Sequence, residues 1–498
     1  MTQAVRTADD DEKDDFLRWL ESEPADEIVD DLDALRAHFG VLRHSPHDGV
    51  ALLRRLDGAA ARILDISVRV RARLQELALP LPPALHAVAT RLSSTLIEVA
   101  LMFEEAQRGA EERGTNPGEV ASCGRRALSL CHEAFVVSIM SANRPPAGLW
   151  RLAHRSADAC PGDASYAAML MMAAAQPESF TARQLTWIAD FLDADFAGVQ
   201  LSTNAEPLAS TWWVDPEEDG GPVSAARKPA IAGGSVRQFS PAPFVRVVDE
   251  RMNQLESVIA GAEAKGEMVD VEMADVELLD TEDEDDALPP GLTPVEVLSL
   301  LRTLRERWAN SPLRVQVRRP GHDVVQVCLG LRALWELGRG RAEAGRVLEW
   351  QVINESPGGY AIINVAGIEG EIASGIVLGL RRPSEQSWTV CVVRWVRSDK
   401  PDQIELGLQV LAPSYYSAQV AFRGASLRSV APALALPVVE PLRRHPAFLV
   451  PTGTYASRRF VFLREGTHLY VAQGRALGLD MQTASVELFQ YDIDPYPI

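Results

Sequence analysis

Lysine is almost missing from this 498-residue chain: four occur against 45 arginines. A bias of that kind reflects GC-rich coding rather than a physical demand. Cysteine is also sparse. The five, at positions 123, 131, 160, 328 and 391, form no CxxC pair, which excludes a disulfide framework and a finger-type zinc site and fits a reducing compartment. No apolar run reaches the roughly 18 residues that a membrane-spanning helix needs, and the N-terminus lacks a charged-then-apolar signal pattern. The expectation is a cytoplasmic protein without a membrane span. Also absent are GxxxxGK[ST], HExxH and GxSxG, the motifs that would mark a phosphate-cradling loop, a zinc peptidase or a serine elbow. The nine histidines share no local context. The reading is therefore not an enzyme, with no catalytic residue, no metal and no cofactor.

Positive charge is short overall, and the net charge of −20 argues against a DNA or RNA binder, which needs a basic surface to neutralise phosphates. The excess is local. Residues 267–286 hold eleven acids and no base, and residues 9–15 hold six acids against Lys13. Both read as solvated segments rather than as a folded face.

The remaining composition is ordinary for a folded protein, at 47% hydrophobic, and the length suits two to four domains. From Leu32 to about Phe196 apolar residues recur at helical spacing. Leu52, Leu56, Ala60, Ile63, Ile66, Val70 and Leu74 form one stripe, and Pro80, Pro82 and Pro83 end it. Further helices are expected over 85–112, 119–140, 148–160, 165–175 and 181–192, the last capped by Ser179 or Thr181. Such a series forms a helical bundle or a helix-pair array, which either docks a protein partner or simply buries its own stripe. Met169, Met171 and Met172 fit a core better than a binding face.

Beyond Phe196 periodicity fades, with Trp212 and Trp213 as a short anchor, and a helix returns near 243–259. Thr293-Pro294-Val295-Glu296 combines a capping threonine, proline at the first helical position and the glutamate of a capping box. The expected division is an acidic disordered tail 1–31, a helical domain 32–215, an acidic linker 216–290, a β-barrel with its leading helix 291–430, and a C-terminal β extension 431–498.

The chemistry gathers in Trp350-Gln-Val-Ile-Asn354-Glu355-Ser356-Pro357-Gly358-Gly359-Tyr360. Two apolar runs flank a turn in which Asn354 and Ser356 offer hydrogen-bonding groups. Gly358 and Gly359 permit a positive φ or the close approach of a ligand. From the residues alone this is also an Asx-type turn closing a hairpin.

Asn354, Ser356 and Gly359 match the (D/N)xSxxG signature of PilZ domains, bacterial modules that bind cyclic di-GMP. The flanking runs at 372–380, 388–396 and 405–410 resemble the strand succession of that barrel. Arg314-Val-Gln-Val-Arg318, followed by Arg319, resembles the family's RxxxR motif, although Arg69/Arg73 and Arg151/Arg155 share the spacing. The resemblance implies a multidomain α + β protein, with an all-α N-terminal region and a PilZ-like antiparallel β-barrel carrying extra strands. It also implies a site built from Arg314, Arg318, Arg319, Asn354, Ser356, Gly358 and Gly359. Guanidinium groups would meet the two phosphodiester charges and the guanine edges, closing over the ligand and moving the segment before them. Leu331 to Gly340 reads as an inserted helical turn. The alternative is an interaction scaffold with a degenerate PilZ domain that binds no nucleotide.

Overall fold

The computed structural model describes residues 19, 25, 27–42, 49–114, 117–195, 211–229, 235–264, 288–310, 316–341, 347–365, 367–368, 372–422, 430–464 and 469–494. The acidic stretches 9–15 and 267–286 and the arginine at 314 lie outside them. The chain forms two compact units. One runs through residue 313; the other comprises 314–498 with the short pieces 78–80 and 178–180.

Helices dominate the first unit, at Ile28–Leu42, Gly49–Gln75, Pro83–Glu112, Pro117–Met140, Leu149–Ala159, Ala164–Ala174 and Ala182–Asp195. The stripe read from the sequence is the buried face: Leu56, Ala60, Ile63, Ile66, Val70 and Leu74 are all buried. Met169, Met171 and Met172 are core residues too. Thr181 Oγ1 accepts from the Gln184 amide at 3.3 Å while Gln184 Oε1 accepts from the Thr181 amide at 3.0 Å, a reciprocal cap. Asp31, buried, is held by Arg62 at 2.8 Å and Arg69 at 3.1 Å. Two guanidinium groups on one carboxylate satisfy the oxygens that burial takes from water. Arg69, one half of a second RxxxR pair, is thus engaged in the helical core.

The stretch around Trp212 is more ordered than its sequence suggests. It forms a three-stranded sheet of β1 (Trp212–Val214), β2 (Val223–Ser224) and β3 (Arg237–Phe239), with β1 central. Strands this short give no readable alternation. Burial of Trp212, Trp213 and Val214 supplies the stabilisation instead. Asp219 then caps the helix Leu149–Ala159, accepting from the amides of Gly148, Trp150 and Arg151 at 2.6, 3.1 and 3.2 Å.

His154, fully buried, is part of the same anchor. Its Nε2 lies 3.0 Å from the Gly220 carbonyl and its Nδ1 2.7 Å from the Tyr166 hydroxyl. A neutral ring satisfies both, donating from Nε2 and accepting from the phenol at Nδ1. Burial lowers its pKa below the ordinary 6.5, outweighing the carbonyl contact. The unfolded chain therefore binds this proton more tightly than the folded one. The contribution of neutral His154 is complete above the ordinary imidazole pKa and is lost progressively as pH falls from there through the lowered folded value. Thermal midpoints measured from pH 7.5 to 5 should fall less steeply for His154→Gln than for the native chain; parallel curves would refute this.

The helix Ala242–Ala264 and the capped helix Pro294–Ala309 complete this unit. The capping box is formed as read: Thr293 Oγ1 accepts from the Glu296 amide, and Glu296 Oε2 accepts from the Thr293 amide at 3.0 Å. Its position differs from the expected leading element of a barrel. Val297, Leu300, Leu301, Leu304 and Trp308 are buried, and Trp308 Nε1 donates to the Met171 carbonyl at 2.9 Å. The apolar face is spent on the helical core.

The second unit holds two barrels. In the first, β5 (Val324–Leu329), β6 (Val347–Ser356), β7 (Gly359–Asn364), β8 (Val377–Arg381), β9 (Thr389–Lys400) and β10 (Gln403–Ala412) run in the order β6-β5-β8-β9-β10-β7. The ring closes where β7 pairs β6, and β4 (Arg319–Pro320) lies beside β6. Val327, Trp350, Val352, Ile362, Leu378, Leu406 and Leu408 fill it.

The second is a closed barrel of β11 (Tyr416–Phe422), β12 (Ala431–Leu436), β13 (Ala447–Pro451), β14 (Arg459–Arg464), β15 (Tyr470–Gln482) and β16 (Val486–Ile493). The extra strands thus close a ring of their own. They take in Tyr416–Phe422 from the range expected to be PilZ-like, because β11 pairs β12 and β14. Phe422, Phe448, Phe460, Phe462, Phe489 and Tyr491 fill its interior.

The inserted segment is the helix Leu331–Gly338. Leu334 lies in a core to which both barrels contribute, with Val390 and Leu411 from the first and Leu434, Leu449 and Leu488 from the second. Trp335 Nε1 donates to the Ala418 carbonyl, and the Tyr415 hydroxyl to the Leu334 carbonyl, each at 2.6 Å.

Candidate ligand-binding site

The signature turn joins β6 and β7 through Pro357 and Gly358. Proline at the first turn position fixes φ near its helical value and shortens the connection. Ser356 and Gly359 are register partners, and the Ser356 hydroxyl donates to the Gly359 carbonyl at 3.3 Å.

Neither glycine has the positive φ that the sequence allowed. Crowding by backbone requires Gly359, whereas the neighbour of Gly358 is the end of a flexible side chain. A Cβ on Gly359 would stand 2.0 Å from the Leu408 carbonyl oxygen of β10, and one on Gly358 would stand 2.9 Å from Gln316 Oε1. Gln316 Oε1 in turn accepts from the Gly358 amide at 2.7 Å. The segment leading into β4 is thereby tied to the turn.

Arg318 follows on that segment. Its Nη1 donates to Asn354 Oδ1 at 3.2 Å, so the two motif residues, 36 positions apart, already touch. Arg319 pairs along the backbone with Glu355, and Arg318 and Arg319 are both exposed. The nearby carboxylates Glu355 and Asp323 are engaged by Arg382. Its bond to Glu355 is the largest of the effects that raise the Arg382 pKa.

Strand register shows what lies beside Asn354. It opposes Ala361, Ala361 opposes Gly407, and Gly407 opposes Trp395, a row across four strands. The next row is Ser356, Gly359 and Gln409. Side chains alternate across a sheet, and the neighbouring row Val352, Ile362, Leu406 and Val396 belongs to the barrel core; a β-bulge between Val352 and Asn354 puts these two on opposite faces although they are two residues apart. Both rows consequently face away from that core.

Trp395 lies on Gly407, since a Cβ there would meet the indole nitrogen at 1.8 Å. Arg397 sits 5.6 Å from the indole centroid. The small residues of these rows, Gly359, Ala361 and Gly407, are buried, Gly407 beneath the indole; Trp395 forms a partly exposed wall on one side, and Asn354 and Ser356 stand partly exposed on the other. Trp395 was missed as a site residue in the sequence. The available signal was a tryptophan on one strand answered by a glycine on the next.

A six-stranded closed barrel with an Asn-x-Ser-x-x-Gly turn and arginines leading into it defines a PilZ domain. The chain is a PilZ-domain protein, with that domain C-terminal to a helical region. Residues 336–416 match the family model "Cyclic-di-GMP receptor FimW, middle PilZ domain", and residues 14–205 match the N-terminal domain of the same receptor. The first match includes Asn354, Ser356, Gly359 and Trp395 and begins downstream of the arginines. The curated protein Cyclic-di-GMP receptor FimW of Pseudomonas aeruginosa is 30% identical over 63 residues, 13% of this chain. That segment spans only 10% of the relative's length. No solved structure matches the chain.

Proposed function

We propose that the chain is a cyclic di-GMP receptor, binding the dinucleotide on the outer face of its PilZ barrel. The observation that carries this reading is the meeting of Arg318 with Asn354 at the signature turn, in strand rows whose other members are the small residues Ala361, Gly359 and Gly407. A cyclic dinucleotide offers two flat bases and two phosphodiester charges. Arg318 and Arg319 supply guanidinium groups for phosphate oxygens or guanine O6 and N7. Asn354 and Ser356 fix orientation, and the glycines at 358 and 359 keep the turn low. Trp395 gives one wall a π-face against which a base can rest. Arg314 belongs to this proposal through its spacing alone.

The role is that of a non-enzymatic receptor, and the helical unit is the part that engages a protein partner. Among the described residues no helix is long and apolar enough to cross a membrane; a cytoplasmic setting fits that composition. Titration of the full chain with cyclic di-GMP by calorimetry should give micromolar or tighter binding. Trp395→Ala should weaken it by about tenfold, the scale of one lost base-stacking contact. Absence of heat at high ligand concentration, with no thermal shift, would leave the scaffold reading.

A further inference from the structure

The C-terminal barrel sends one charged side chain into the shared core. Arg443, in the connection between β12 and β13, is only 3% exposed. Its Nη2 donates to the Leu411 carbonyl at 2.9 Å and to the Pro437 carbonyl at 3.3 Å. Nε and Nη1 have no hydrogen-bond partner among the described residues. Burial lowers its pKa, only partly offset by Asp480. A guanidinium in such surroundings is costly to keep, so its retained bonds call for an explanation.

The Leu411 carbonyl supplies one. Strand β10 pairs with β9 in register at Val410 opposite Cys391, then resumes at Ala412 opposite Val390. Leu411 is therefore the extra residue of a β-bulge, with its carbonyl turned out of the ladder. Arg443 takes that carbonyl. One residue earlier, the Val410 amide donates to the Gly358 carbonyl at 3.0 Å, and Gln409 opposes Gly359. The same few residues of β10 are gripped by the second barrel at one point and by the signature turn at the next.

We infer that Arg443 is a positioning residue: through the Leu411 bulge, the C-terminal barrel holds β10 in the register that sets the signature turn, and so tunes ligand affinity. This rests on the receptor reading above for its ligand, while its structural half stands alone. The loop 437–446 is itself braced, with the Arg443 amide donating to the Val439 carbonyl at 2.7 Å and the His445 amide to Gln490 Oε1 at 3.2 Å. A change in the second barrel would reach the turn by this route.

The test uses the full chain with Arg443→Met and Arg443→Lys. Methionine fills the space without a charge, so the thermal midpoint should hold or rise. Amide exchange at 358–360 and 408–411, measured without ligand, should nevertheless speed up about tenfold. Cyclic di-GMP affinity should drop by about fivefold to tenfold, the scale of coupling between residues of one network. Lysine, which can still donate to Leu411, should recover most of both. A residue with a merely structural role would lower midpoint and affinity together and be unmoved in local exchange. Unchanged exchange at the turn in Arg443→Met overturns the inference, whatever the ligand does. Faster exchange in a chain that binds no cyclic di-GMP would instead uphold the positioning role and dismiss the receptor reading.

Discussion

Replacing Arg318 by alanine is expected to weaken cyclic di-GMP binding by about 30- to 100-fold, the range for losing a charge-assisted contact to phosphate or a guanine edge. The thermal midpoint should hardly change. Arg318 is exposed and its bond to Asn354 bridges two surface side chains, so the folded state owes it little. Asn354→Ala, which removes the partner while leaving the guanidinium, should cost less. Raising salt should diminish the difference between native and Arg318→Ala chains, because the lost interaction is ionic and exposed. Calorimetric titration at two ionic strengths would decide it. Equal affinities for native chain and variant would move the ligand away from this turn.

The second large effect is one of stability. Gly359→Ala should destabilise the second unit by about 2 to 3 kcal/mol, the usual range for forcing an atom into a well-packed interior. The cause is specific: the new methyl would stand 2.0 Å from the Leu408 carbonyl oxygen, and backbone on a paired strand cannot swing aside. Gly407→Ala makes an informative comparison. Its clash is with the ring of Trp395, a half-buried side chain, so relief is possible at the expense of the wall beside Asn354. The alanine at 359 should lower the denaturation midpoint more, and the alanine at 407 should harm ligand binding more than it harms stability. If Gly359→Ala unfolded at the native midpoint, strands β7 and β10 could not lie as close as described.

These expectations also mark where the sequence could be read. Helices announced themselves by spacing and by caps: Thr293, Pro294 and Glu296 located one helix start to the residue, and the stripe from Leu56 to Leu74 is buried as written. The signature residues Asn354 and Ser356 and the cationic segment were legible because chemistry, unlike packing, is carried by residue type. Packing decided what was missed. Whether the helix Pro294–Ala309 joined the helices or the barrel depended on which surface received Trp308, and nothing local encodes that choice. Strand β1 is three residues long and has no period to detect. Gly359 was legible as a glycine but not for its reason, since the carbonyl that excludes a side chain lies 49 positions further on. Trp395 and Leu411 matter through register, which emerges only when β9 and β10 pair.

The helix Leu331–Gly338 has a practical consequence for anyone dissecting this molecule. Its Leu334 and Trp335 are anchored at Tyr415 and Ala418, at the entry to the C-terminal barrel. A fragment trimmed to end near residue 440 would retain two of that barrel's six staves and strip the cover from an oily seam. Such a piece would invite clumping during purification, and a blank titration with it would say nothing about the intact chain.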